Sequence, residues 1–299
     1  MREARAQAAP GTALVGVIGS PVVHSLSPLL HEAAFRALGL GGAWRSFAFE
    51  VPPGHAAAAL ADMRQAGVVG LSVTMPHKAA VAALVDECSE VARRLDAVNC
   101  VTNTEGRLDG TNTDGEGFVA SLARGAAFDP AGRRCLVIGA GGAARAVVLA
   151  LAQAGASEVA VVNRTPERAV VAADLAGAVG VAVGAEMGND AWDQVVVSAD
   201  LVVNATPVGM AGVSGADEAE WFVAPEQLHA GQVAADLVYA PRPTRWLAAA
   251  AQAGARPLDG LGMLVHQAAA QLERWTGRQP PVEAMWRAAE TALGAALGD

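Results

Sequence analysis

The sequence predicts an α/β protein of two domains, an N-terminal open α/β domain followed by a doubly wound one. Three observations carry that reading. Short apolar runs that read as strands alternate with stretches of helical spacing through most of the chain. One such strand runs directly into a glycine-rich turn, Gly139–Ala144, that opens a helix. Polar residues collect just past the strand ends of the first third, where open α/β sheets hold their ligands. With 299 residues the chain is long enough for two sizeable cores.

Composition narrows the class. Hydrophobic residues at 53% and charged residues at 17% describe a globular chain. No apolar run approaches a membrane span, and the N-terminus lacks a signal-peptide core. A net charge of −9 without any basic run argues against nucleic acid as a partner. Cys88, Cys100 and Cys135 are too few and too scattered for a zinc site or a disulfide framework, so no metal is expected. The expectation is a soluble cytoplasmic protein, monomer or homodimer, that handles small molecules.

The elements follow in order. Met1–Pro10 reads as a frayed tail. Ala13–Ile18 is a strand ended by Gly19-Ser20-Pro21. Ser27-Pro28 reads as a cap with proline at the first helical position, and Gly39 stops that helix. Trp44–Val51 alternates as a strand with Phe47 and Phe49 on one face, His55–Ala66 is a helix closed by Gly67, and Val69–Val73 is a third strand. Thr74-Met75-Pro76 then turns the chain into a helix at or near Lys78. Ser89–Leu95 is a short helix, Ala97–Thr104 a strand, and Gly110–Gly115 a polar loop opening a helix near Glu116–Arg124. Gly125–Gly132 reads as a linker.

Arg134–Ile138 begins the second domain, expected over residues 116–260, with 12–115 and 261–299 forming the first. Gly139-Ala140-Gly141-Gly142-Ala143-Ala144 fits the dinucleotide fingerprint between a strand and the helix Arg145–Ala154. The first glycine permits the tight turn, the second lets a pyrophosphate reach the backbone, and Ala144 allows close helix packing. This is a Rossmann-type unit. The next strand, Glu158–Val162, ends in Asn163-Arg164-Thr165 with Arg168 close behind, and no carboxylate stands where NAD units place one for the ribose hydroxyl. Two guanidiniums suit a 2′-phosphate, so NADP is favoured over NAD. Ala199–Asn204 and Val233–Val238 are further strands, Met187–Asp190 and Ala211–Glu220 loops, and Thr244–Ala253, Gly260–Thr276 and Glu283–Leu297 helices.

Lys78 is the only lysine; all twenty other Lys/Arg positions among the 21 are arginine. Arginine holds a charge but does not exchange its proton, whereas lysine can. A leftover solvated lysine is the plain alternative. Around it, Ser25, Ser27, Thr74, Asn99, Asn112 and Asp114 supply hydroxyl, amide and carboxylate groups suited to a small polyhydroxylated ligand.

Taken together these motifs resemble the shikimate dehydrogenases over nearly the whole chain. Gly19–Pro28 is similar to that family's opening substrate motif and Val73-Thr74-Met75-Pro76-His77-Lys78 to its V-T-x-P-x-K signature. Ala97-Val98-Asn99, Asn112-Thr113-Asp114, Gly139–Ala144, Asn163-Arg164-Thr165, Asn204-Ala205-Thr206-Pro207 and Gly262-Met263-Leu264-x-x-Gln267 follow in family order. The resemblance implies reversible NADP-linked reduction of 3-dehydroshikimate to shikimate, on the route to chorismate and the aromatic amino acids. It further implies Lys78 and Asp114 as the proton-handling pair and Ser25 and Ser27 at the substrate carboxylate. Thr74, Asn99, Asp114, Tyr239 and Gln267 would surround the ring and its hydroxyls, and Glu90, Leu237 and Gly260 would add cofactor contacts. Ser72 stands where the family usually has asparagine, and His77 where it often has phenylalanine. A relative acting on quinate or an amino-shikimate is therefore the alternative, and a non-catalytic dinucleotide-binding regulator is one of another class.

Overall fold

The described residues form two six-stranded sheets, each from its own part of the chain. The computed structural model describes residues 1–184, 190–210 and 223–295. One unit is Met1–Thr113 together with the segment from Val265 on, and the other is Asp114–Leu264. The loops expected at Met187–Asp190 and Ala211–Glu220 lie outside the described residues, apart from Asp190, which begins a helix.

The first unit runs α1 (Arg2–Gln7), β1 (Ala13–Gly19), α2 (Ser27–Ala37), β2 (Trp44–Glu50), α3 (Ala56–Ala66), β3 (Val68–Val73) and α4 (Lys78–Ala82). It continues with β4 (Glu87–Cys88), α5 (Glu90–Leu95), β5 (Cys100–Thr104) and β6 (Arg107–Thr111). The sheet order is β2-β1-β3-β5-β6-β4. The chain passes from β1 to β2 on one side and to β3 on the other, so the order reverses between β1 and β3. Leu14, Ile18, Leu60, Met63, Leu71 and Val101 fill the core on one face. On the other, Gly70 leaves room for the Trp275 ring, where a Cβ would lie 2.3 Å from it.

Three expectations are corrected here. The tail at Met1–Pro10 contains a helix, because Arg5 donates to the carbonyls of Thr12, Ala66 and Gly67 at 2.6, 2.9 and 3.1 Å and Ala4 is buried. The polar loop expected from Gly110 begins as strand: Gly110 and Thr111 are the end of β6, antiparallel to β5. A turn at Glu105 (φ 54°) and Gly106 (φ 95°) joins the two, the paired left-handed residues of a tight hairpin. Ser27 lies inside α2, not before it; the Ser25 hydroxyl accepts the Ser27 N–H at 3.3 Å.

The second unit runs α6 (Asp114–Ala126), β7 (Arg134–Ile138), α7 (Gly142–Gln153), β8 (Glu158–Val162), α8 (Pro166–Ala173) and β9 (Gly180–Val183). Then come α9 (Asp190–Ser198), β10 (Leu201–Asn204), β11 (Val233–Asp236), α10 (Arg245–Gln252) and β12 (Arg256–Leu258). All its strands are parallel, in the order β12-β11-β10-β7-β8-β9. Both faces are covered, one by Phe118, Leu122, Val147 and Leu151, the other by Trp192, Val196, Trp246 and Leu247. That is the doubly wound arrangement, with its reversal between β7 and β10. The chain closes with α11 (Leu261–Thr276) and α12 (Val282–Ala295).

Candidate active site

In the first unit, main-chain hydrogen bonds draw the motif loops to one end of the sheet. Ser20 N donates to Met75 O at 3.0 Å and Thr74 N to Ile18 O at 2.9 Å, so the loop after β1 lies against the turn after β3. The approach is close enough that a Cβ on Gly19 would sit 2.4 Å from Thr74 Cγ2. Val98 N donates to the carbonyl of Lys78 at 2.9 Å, and Asn99 N to Thr111 O at 3.0 Å. Thr113 N donates to Asn99 Oδ1 at 2.8 Å. Ser25, Thr74 and Asn99 thus stand on linked loops, with Ser27 and Lys78 at the first residues of the helices that follow two of them.

Each loop is pinned from behind. Glu50, at the end of β2, accepts from Val22 N at 2.9 Å, and hydrogen bonds from Ser20 and Val22 hold its carboxyl below the usual range. The next residue, Val51, offers its carbonyl to His77 Nε2 at 2.7 Å. The end of β2 therefore fastens both the serine loop and the turn before Lys78. Lys78 is half-buried and is the first residue of α4, which has only five residues, so the dipole behind it is short.

Asp114 follows Thr113 directly, is buried, and opens α6, where an acidic side chain is favourable. Gln267 is buried on α11; its carbonyl accepts from Thr113 Oγ1 at 3.2 Å and its Oε1 from Gln271 Nε2 at 2.9 Å. The sequence reading missed Gln271. Its signal was the spacing of four from Gln267, which puts both amides on one helix face.

In the second unit, Gly139 takes φ +111°, and a Cβ there would lie 3.1 Å from Ala205 O. Ala205 N donates to Ile138 O at 2.9 Å, which brings the Asn204–Pro207 motif to the glycine turn. Around Gly141 and Gly142 nothing lies within 4 Å of a built Cβ. Open backbone at the start of α7 is what a dinucleotide pyrophosphate requires, and Ala140 and Ala143 flank it. Asn163 Nδ2 donates to Thr165 O at 3.0 Å, shaping the turn after β8. Arg164 and Arg168 are exposed there, with Arg168 N donating to Thr165 O at 3.1 Å, and among the described residues neither guanidinium has a hydrogen bond or an ion pair. The residues present fit NADP.

Leu237 and Gly260 meet: a Cβ on Gly260 would lie 2.0 Å from Leu237 O. Tyr239, two residues on, is half-buried, and burial raises its phenol pKa. Glu90 is apart from these in sequence, exposed on α5 of the first unit. A second residue the sequence reading missed is Asp236, a carboxylate at the end of an otherwise apolar strand. It accepts from Asn204 Nδ2 and Val238 N at 3.0 Å and from Thr244 Oγ1 at 2.8 Å, and burial lifts its pKa to about 6. Through it the strand exits carrying Asn204, Leu237 and Tyr239 are tied together. Among the described residues no three His, Cys, Asp or Glu side chains form a metal-binding group, and no helix is long and apolar enough to cross a membrane.

A doubly wound dinucleotide unit joined to an α/β unit with a lysine and polar loops at its strand ends defines a two-part pyridine-nucleotide oxidoreductase. Comparison with known proteins makes this particular. Family models match in three stretches: the shikimate dehydrogenase substrate binding domain over residues 17–101, shikimate / quinate 5-dehydrogenase over 121–216, and the shikimate 5′-dehydrogenase C-terminal domain over 260–290. Shikimate dehydrogenase (NADP(+)) of Methanopyrus kandleri is 46% identical over 278 residues, 92% of this chain and 93% of that one. The chain belongs to the shikimate dehydrogenase family. The crystal structure of shikimate 5-dehydrogenase from Thermus thermophilus in complex with NADP(H) and shikimate matches with a TM-score of 0.83 at 37% identity, covering 94% of this chain and 100% of that one. Quinate dehydrogenase from Corynebacterium glutamicum in complex with NAD also gives 0.83, at 32% identity over 94% and 99% of the two chains.

Proposed function

We propose that this chain catalyses the reversible NADP-linked reduction of 3-dehydroshikimate to shikimate, with Lys78 and Asp114 handling the proton at the oxygen that alternates between carbonyl and hydroxyl. The observation that carries this is the set of main-chain bonds from Ser20 to Met75, Val98 to Lys78 and Asn99 to Thr111, which gathers the substrate-type motifs at one sheet end. When bound, NADP supplies or takes the hydride. Everything else falls to the chain. A lysine ammonium or a carboxylic acid can donate a proton to a forming alkoxide and recover it in reverse. Ser25 and Ser27 bind the substrate carboxylate, and Thr74, Asn99, Asp114, Tyr239 and Gln267 the ring and its hydroxyls. Arg164 and Arg168, with Asn163 and Thr165, take the 2′-phosphate, and Gly139, Ala140, Gly141, Gly142 and Ala143 the pyrophosphate. Glu90, Leu237 and Gly260 complete the cofactor contacts. We place the protein in the cytoplasm, as a monomer or homodimer.

The test is an absorbance assay of four pairings, shikimate or quinate with NADP or NAD. Shikimate with NADP should give the highest kcat/KM. Equal or faster turnover of quinate with NAD would overturn the assignment.

A further inference from the structure

We infer that Gln271, one turn beyond Gln267 on α11, is a positioning residue that fixes the orientation of the Gln267 carboxamide for substrate. Donor chemistry fixes which way each amide is turned. Gln271 is fully buried, and one of its amide atoms lies 3.2 Å from the main-chain carbonyl of Asn99. A carbonyl oxygen only accepts, so the facing atom must be Nε2. The same Nε2 lies 3.3 Å from Thr113 Oγ1 and 2.9 Å from Gln267. The facing atom of Gln267 must then be its oxygen, Oε1. The Gln267 amide is therefore turned by a relay that begins at a main-chain atom of the strand end bearing Asn99. Its Nε2 is left on the branch away from Gln271.

The relay reaches the other site groups too. The Asn99 carbonyl also accepts Val73 N at 2.7 Å, and Asn99 Oδ1 holds Thr113, the residue before Asp114. Gln271 thus touches the backbone of one proposed substrate residue, the side chain of a second, and the residue preceding a third. On the other side of its amide, Oε1 is buried and has no hydrogen-bond partner among the described residues. Burying an unpaired carbonyl oxygen is unfavourable, so packing alone would favour an apolar side chain of this size. Retention of the amide is accounted for by what Nε2 does.

This inference rests on the proposed role of Gln267 in substrate binding, and the test separates the two. Steady-state kinetics with shikimate and NADP, and melting curves, are measured for Gln267→Ala, Gln271→Met, Gln271→Glu and the double variant Gln267→Ala/Gln271→Met. Methionine keeps the volume and removes the donor. Gln271→Met should raise KM for shikimate about tenfold, with kcat changed less and KM for NADP unchanged. In the Gln267→Ala background the same change should add little, because the relay then has nothing to orient. Gln271→Glu keeps a donor only while protonated, so its KM for shikimate should rise with pH beyond any rise in the wild type. A wild-type KM in Gln271→Met beside a raised KM in Gln267→Ala overturns the positioning role alone, as do additive effects or a lowered Tm with unchanged KM. An unchanged KM in Gln267→Ala overturns the substrate role of Gln267 and the inference with it. Should Gln271→Met fail to fold, a pH-independent excess KM in Gln271→Glu overturns the proposal.

Discussion

Both units reverse their strand order next to a central strand, and both have a glycine where the chain leaves that strand, yet they use the position differently. Gly19 ends β1 beside the exit of β3, where a side-chain methyl, Thr74 Cγ2, occupies the space of a Cβ at 2.4 Å. Gly139 follows β7 beside the exit of β10, where the neighbour is a main-chain oxygen, Ala205 O, and φ is +111°. In the first unit the glycine lets side chains crowd together: the loop carrying Ser25 closes on Thr74, in the turn that leads to Lys78. In the second it clears the backbone, and the groups left open at Gly141 and Gly142 are peptide units at a helix start. The same topological site is thus finished by side chains in one unit, as the proposed proton chemistry requires, and by main chain in the other, as the proposed phosphate binding requires.

The hardest test of that division is Lys78→Ala. If the first unit holds the chemistry, kcat for shikimate oxidation should fall by about 10²–10⁴-fold, the range of a general acid–base group. KM for shikimate should change little, and NADP titrated by fluorescence should bind with its wild-type Kd. Wild-type turnover would sink the assignment, and weakened NADP binding would break the division between units.

Legibility in the sequence followed the same line. The glycine turn, β8 and its basic exit are contiguous, and each residue's reason is local: a positive φ at Gly139, an N-cap at Gly141, a proline opening α8. The first unit's loops were recognisable singly, but their joining was not. That the Lys78 carbonyl receives Val98 N, or that His77 reaches Val51, depends on sheet order, which no window of sequence contains. Gln271 and Asp236 were missed for a related reason. A polar residue within an apolar pattern looks like an exception until its partners are seen, as with Asn204, Val238 and the helix cap Thr244 around Asp236. The strand Arg107–Thr111 escaped because only Leu108 marks its inward face and Gly110 lies against Val98.

Next in size is an opposition in pH dependence. Burial holds His31 of the first unit neutral, with its pKa lowered to about 3, while burial lifts Asp236 of the second to about 6. An unfolded His31 takes up a proton below about pH 6.5 that the native residue refuses, so its contribution is lost as pH falls from there toward 3. Native Asp236 keeps its proton up to about pH 6, whereas the unfolded group loses it near 3.8. Its contribution is therefore full below 3.8 and is lost as pH rises through 6, by roughly 3 kcal/mol. Urea melts or hydrogen exchange of β1 and β11 from pH 4 to 7.5 should separate the two. Asp236→Asn should leave a stability that climbs with pH, and His31→Gln one that declines. Matching slopes in both variants would show that neither group titrates as its burial requires.

The smallest expected effect bears most directly on the two glycines. Gly139→Ala must place a Cβ at positive φ, which costs an L-residue about 1–2 kcal/mol, and against a main-chain oxygen that cannot swing aside. The Kd for NADP should rise about tenfold or more, with binding of shikimate to the free enzyme unchanged. Gly19→Ala meets a methyl group, and Thr74 can answer by changing rotamer. That movement would disturb a proposed substrate residue, so KM for shikimate should rise several-fold with NADP affinity intact. Adding Thr74→Ser removes the obstructing methyl and keeps the hydroxyl, so it should restore much of the lost KM. The second unit has no such rescue: Thr206→Ser leaves both the positive φ of Gly139 and Ala205 O at 3.1 Å, whereas Thr74→Ser leaves Gly19, whose φ is not positive, with Met75 O at 3.2 Å as the nearest atom. If both glycine variants lost NADP affinity equally, the contrast between a side-chain site and a main-chain site would fail.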